Sequence, residues 1–154
     1  AGAAAWAARA GKGLQEIVAE VESMAPKMHV WFLVDTLKYL AKGGRIGGAE
    51  ALLGSVLAIK PLLQVENGRV EPLDKVRTRG KAIERLVERF KKECDGRPVH
   101  CTIINAIAPE EAEQLKTMVL TAFPQVQDLM VTGVSAAIGT HVGPLTLGLC
   151  FYTD

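Results

Sequence analysis

Apolar residues along this chain change spacing several times, and each change marks an element. Leu14, Ile17, Val18, Val21 and Met24 recur at helical spacing, predicting a leading helical segment over residues 1–27 that breaks near Gly11 and Gly13. Residues 29–34, HVWFLV, form the short apolar run of a buried strand. Asp35 is placed to N-cap a short helix through Leu40. After the turn KGGRIGG, Leu52, Leu53, Val56 and Leu57 predict one face of a second helix, and Pro61 ends that run.

The clearest local signal is Asn67-Gly68 between LLQVE and RVEPL, which predicts a tight hairpin with a mirror-type turn. Ile83, Leu86, Val87, Phe90 and Cys94 then form one stripe of a long amphipathic helix. Val99, Cys101 and Ile103 alternate with His100, Thr102 and Ile104 as a strand. Pro109, with Glu110 and Glu111 behind it, opens a further helix whose inner face carries Leu115, Met118, Val119 and Ala122. Residues 129–134 and 145–151 read as two closing strands, the last with Leu145, Leu147, Leu149 and Phe151 on one face. Helices interleaved with about six strands predict a layered α/β or α+β domain built on a mixed sheet, over residues 28–154.

Composition narrows the function. The 154 residues suffice for one ordinary core, and 18 Lys+Arg against 17 Asp+Glu leave a formal charge of +1. That near-neutrality argues against nonspecific nucleic-acid binding, which needs a basic surface. Apolar runs stay below the roughly eighteen residues that span a bilayer. The opening AGAAAWAARAGKG lacks the order of a secretory signal, and Cys94, Cys101 and Cys150 are odd in number and widely spaced. A reduced, cytoplasmic protein with buried, apolar cysteines is the expectation.

The candidate chemistry lies in two glycine-bearing segments. Gly43 and Gly44 permit close approach of backbone to a ligand, and Arg45 beside them offers a planar fork for carboxylate or phosphate. Ile46 and the following apolar residues would give that fork a greasy wall. The alternative is a turn whose glycines merely cap, with Arg45 solvated. GGRIGG lacks the spacing and lysine of a phosphate loop. The second segment, THVGP, puts His141 on a loop entering the last strand, either as a functional group or bonded to nearby backbone. Ser135 in GVSAAIG departs from the nucleophile elbow at Ala137, and an acid at a persuasive position is missing. His100 and Cys101 point to opposite faces of a strand, so neither a metal nor another cofactor is expected.

Taken together, LKYLAKGGRI, the run ending LAIKPLL, ENGRVEPLDKVRT and the closing GTHVGP resemble the DegV family of bacterial fatty-acid-binding proteins. That family includes the lipid-carrying subunit of fatty acid kinase. The segment LQEIVAEVESM is similar to the family's helix ahead of VDTLKYL, so the likeness runs over essentially the whole chain. It implies the C-terminal, lipid-covering domain of a two-domain protein, with the N-terminal domain absent and, with it, the serine and threonine that hold the acid. Carried over residue by residue, it implies Arg45 and His141 near the carboxylate, Gly43 and Gly44 at the same turn, and Ile46, Leu52, Leu53, Val56, Leu57 and Ile59 along the tail. The family has glycine directly after HVGP, where this chain has Leu145.

The expected function is to bind a long-chain fatty acid and present its carboxylate to the catalytic subunit of a fatty acid kinase, without catalysis of its own. The expected contacts are the lipid, that kinase and the protein's own N-terminal domain. The competing reading is a small enzyme acting on a soluble acidic substrate through Arg45 and His141.

Overall fold

The computed structural model describes residues 2–54 and 59–153. Two helices lead the chain, α1 (Gly2–Arg9) and α2 (Leu14–Met24), with Gly11 at φ +81° between them. Glu16 accepts the backbone N–H of Gly13 at 2.8 Å and so closes the first turn of α2. The apolar stripe of α2 does not enter the core. None of its residues is buried, and Leu14, Val18 and Val21 face solvent.

Six strands then form a single sheet: β1 (His29–Leu33), β2 (Lys60–Glu66), β3 (Arg69–Val76), β4 (Val99–Ala106), β5 (Val126–Gly133) and β6 (Thr146–Thr153). Their order is β3-β2-β1-β6-β4-β5. Only β4 and β5 run parallel, so the sheet is mixed as expected. The β2–β3 hairpin turns on Asn67 at φ +50° and Gly68 at φ +74°, the pair of positive angles that a mirror-type turn requires.

Helix α4 (Arg79–Cys94) connects β3 to β4, and α5 (Pro109–Ala122) connects β4 to β5. Alternation along the strands sends side chains to two layers. Leu33, Leu62, Leu147, Leu149 and Phe151 pack against the buried stripes of α4 and α5, which include Leu86, Phe90 and Leu115. Phe32, Val34 and Leu63 point the other way, into a smaller cluster with Leu40, Ala49 and Leu52. Leu40 lies on α3 (Lys38–Lys42), and Ala49 and Leu52 lie on a 3₁₀ helix over Gly47–Leu52.

Four local readings are corrected. Asp35 does not cap α3, which follows Leu37; its carboxylate instead accepts Lys60 Nζ at 2.6 Å, across the ends of β1 and β2. The second helix is the short 3₁₀ piece, and it stops when Leu53 turns to extended geometry at ψ 134°. Leu52 is therefore core while Leu53 is 45% exposed, and the two do not share a face. Leu145 precedes β6 rather than belonging to it, since its φ of +61° is incompatible with a strand. His141 lies not on a loop but in the last turn of α6 (Ala136–Val142).

Candidate functional site

The site grows from the C-terminal ends of two short helices. Helix α3 ends at Gly43, and Gly44 at φ +64° reverses the chain so that Arg45 N–H returns to Leu40 O at 2.9 Å. Arg45 is exposed, and its Nη1 donates to Gly43 O at 3.1 Å. Helix α6 starts at Ser135, whose hydroxyl accepts Ile138 N–H at 3.4 Å. Ser135 is thus the N-cap of α6. The helix ends at Gly143, whose N–H donates to Gly139 O at 2.8 Å.

These ends meet. A Cβ on Gly43 would collide with Nδ1 of His141, and a Cβ on Gly143 would collide with the ring of Tyr39. Gly43 and Gly143 are therefore the two points where α3 and α6 touch backbone to ring. His141 is half-buried, and its Nδ1 is fully buried with no hydrogen-bond partner among the described residues. A buried nitrogen without a partner is better tolerated as a lone pair than as an N–H. Nε2 is then the ring's hydrogen-bond donor. Gly43 thus meets both this imidazole and the Arg45 guanidinium, and the two segments singled out in the sequence converge on that one residue.

The second pair of glycines in GGRIGG has a different task. A Cβ on Gly47 would strike the Val70 backbone, and one on Gly48 would strike the Glu71 carboxylate. They let the 3₁₀ helix lie directly on β3 and are not part of a phosphate cradle. Of the apolar positions expected along a tail, Ile46 and Ile59 pack on the smaller core cluster, Leu52 lies within it, and Leu53 is exposed. Val56 and Leu57 lie outside the described residues.

Several supporting residues were not singled out by sequence. Arg79 grips Glu111 with two hydrogen bonds of 2.6 Å and donates to Leu145 O at 2.7 Å. That hydrogen bond with Arg79 holds the Glu111 carboxyl below its ordinary 4.5. Thr146, buried at the start of β6, donates to the carbonyls of Val142 and Gly143 at 3.1 and 3.0 Å. Nothing in residue spacing announces such contacts, because they join elements far apart in the chain. Two open clefts lie elsewhere, near the C-terminal end of α4, and neither includes a residue of the GGR or HVGP segments. Among the described residues no cluster of three His, Cys, Asp or Glu side chains could hold a metal ion. Likewise, none of the described helices is long and apolar enough to cross a membrane.

Fold and site together define a mixed-sheet α/β domain with an arginine–histidine surface at the ends of two short helices. The chain belongs to the DegV family, described as uncharacterised proteins, whose family model matches residues 1–154. A DegV domain-containing protein of Streptomyces coelicolor is 48% identical over 147 residues, covering 96% of this chain and 52% of the relative. The solved structure titled for fatty acid binding of a DegV family protein from Thermus thermophilus has a TM-score of 0.90 at 33% identity, over 98% of this chain and 54% of that one. That of DegV from Bacillus subtilis, described as a fatty acid binding protein, has a TM-score of 0.80 at 34% identity, over 99% of this chain and 54% of that one. The chain spans about half the length of the curated relatives it matches.

Proposed function

We propose that this domain holds the acid end of a long-chain fatty acid at Gly43, Gly44, Arg45 and His141, and that a separate kinase phosphorylates the carboxylate it presents. One observation carries the reading: Gly43 meets both groups, its carbonyl accepting the Arg45 guanidinium and its Cα lying against the buried edge of the His141 ring. A carboxylate meeting that surface finds a charged fork and an imidazole N–H within one small area. The relatives described as fatty acid binding proteins support the same ligand class.

Leu53 is exposed and available to a tail, and Ile46 and Ile59 are only partly buried on the smaller core cluster. An open surface does not enclose sixteen carbons, so the remaining half of a protein of the relatives' length would complete the pocket and supply the hydroxyls that hold the acid. The kinase would transfer the γ-phosphoryl group of a nucleoside triphosphate to a carboxylate oxygen, breaking the β–γ anhydride bond and giving the acyl phosphate and the nucleoside diphosphate. Arg45 then offsets charge that grows during the transfer. Native mass spectrometry of the protein at its relatives' length, purified from bacteria, tests the reading. A retained C16 to C18 acid supports it. A lipid-free protein that turns over a small soluble acid overturns it in favour of the enzyme alternative.

A further inference from the structure

We infer that Arg79 is a positioning residue for His141, acting through the backbone of Leu145. This rests on His141 belonging to the acid site. Leu145 adopts φ +61°, a left-handed conformation that a leucine holds only when its surroundings impose it. Its side chain is 41% exposed and gives modest anchorage. Two backbone hydrogen bonds impose the conformation instead. Leu145 N–H donates to Ala106 O at 2.7 Å, and Leu145 O accepts Arg79 Nη2 at 2.7 Å.

The guanidinium that makes the second bond cannot drift. Arg79 opens α4, Glu111 lies in the first turn of α5, and their two-pronged pair fixes the fork against both helices. From Leu145 the constraint runs back through a short path. Thr146 binds the carbonyls of Val142 and Gly143, and Gly143 is seated on the Tyr39 ring. His141 stands one residue before Val142, so the left-handed turn sets where the imidazole meets Gly43. Without Arg79, Leu145 relaxes toward negative φ, the peptide planes on either side rotate, and the end of α6 shifts with them.

The test uses this chain with ¹³C,¹⁵N-labelled histidine, and reads the ring resonances of His141 without ligand. Arg79→Gln should displace them. Adding Leu145→Gly to Arg79→Gln should return them, because glycine adopts positive φ at no steric cost, so the remaining bond to Ala106 O suffices to fix the turn while the Glu111 pair stays broken. Should Arg79→Gln fail to fold, Glu111→Gln, which loosens the fork, should give a smaller displacement in the same direction. Unmoved ring resonances in the folded single variant, or a displacement that Leu145→Gly does not reverse, would overturn the role of Arg79. If palmitate leaves His141 unmoved in the unaltered protein at its relatives' length, the acid-site reading falls, while the ligand-free resonances of this chain still decide the role of Arg79.

Discussion

The imidazole of His141 lies against the backbone of Gly43, with Nδ1 occupying the place that a side chain at Gly43 would fill. Neighbouring Gly44 differs, having open space where a Cβ would go but a φ of +64°. The two glycines of one motif are thus required for separate reasons, contact at Gly43 and conformation at Gly44. That separation makes the site testable one residue at a time.

Gly43→Ala should destabilise the domain by about 1–3 kcal/mol through overpacking and should displace the His141 ring. The Gly43 backbone, at φ −80°, suits alanine, so the effect is purely steric. Gly44→Ala should cost about 1–2 kcal/mol through left-handed strain yet leave the His141 ring signals in place. Urea unfolding with histidine NMR on both variants checks the contrast. Equal ring displacement in both would mean that the turn, not the contact, places His141.

Ile107, just past β4, is a second apolar residue held at positive φ among the described residues, here +56°, and it is 79% exposed. A β-branched residue is strained in that region, and this one has little packing to lose. Ile107→Asn should therefore stabilise the domain by about 1 kcal/mol, since asparagine tolerates the conformation. Urea midpoints at constant slope provide the measurement. A lower midpoint would mean that the isoleucine makes an apolar contact worth more than its strain.

Much of this architecture was legible before any coordinates. The α4 stripe of Ile83, Leu86, Val87, Phe90 and Cys94 is buried throughout, and Asn67-Gly68 makes the turn its chemistry demands. Long periodic segments state their burial many times over, so one exception does not hide the pattern. The site was legible only as two segments. Helix α6 has seven residues and interrupts its period with Gly139, so sequence placed His141 on a loop. The 3₁₀ piece over Gly47–Leu52 shows a helical pattern too short to tell its period from that of an α-helix. The pairing of Arg79 with Glu111 escaped because an ion pair across 32 residues leaves no periodic trace, and Leu145 stood out only as a departure from the family's glycine, its positive φ being invisible in residue spacing.

Acid should weaken the fold through three carboxylates with lowered pKa values. The Lys60 hydrogen bond holds Asp35 below its ordinary 3.8, and the Arg79 hydrogen bond holds Glu111 below 4.5. Burial works against ionisation of Asp74, yet the Lys75 N–H and Arg89 still keep it below 3.8. Folded values below unfolded ones give stability that is fully present above the unfolded values and lost as pH falls through the folded ones. Urea unfolding should therefore be flat between about pH 7 and 5 and decline below about pH 4.5. Glu111→Gln should make that decline shallower. An unchanged slope would show that the pair with Arg79 adds nothing to the acid response.

Arg45→Ala, placed in the protein at its relatives' length, should impair phosphorylation of bound lipid more than lipid retention. Tail burial dominates affinity, whereas an exposed arginine aimed at growing charge acts on the transition state. Arg45→Lys should restore the rate only in part, because an ammonium lacks the two-pronged fork. Kinase-coupled turnover and lipid content by mass spectrometry separate the two effects. A folded Arg45→Ala protein that purifies free of lipid would make Arg45 the primary anchor of the acid.

The chain of 154 residues should bind palmitate poorly by itself, even though it carries Arg45 and His141. Burial of a methylene contributes about 0.8 kcal/mol, so full enclosure of fourteen would supply roughly 11 kcal/mol. The described residues around Gly43 form an open surface, with Leu53 exposed and neither of the two clefts near the end of α4 reaching it. A surface that covers one side of a tail gives roughly half that amount, and association itself removes at least about 4 kcal/mol. What remains corresponds to binding weaker than micromolar. Calorimetry with palmitate below its aggregation threshold measures the difference directly. A submicromolar Kd for this chain would mean that it encloses the tail unaided, and the pocket would then need no second half.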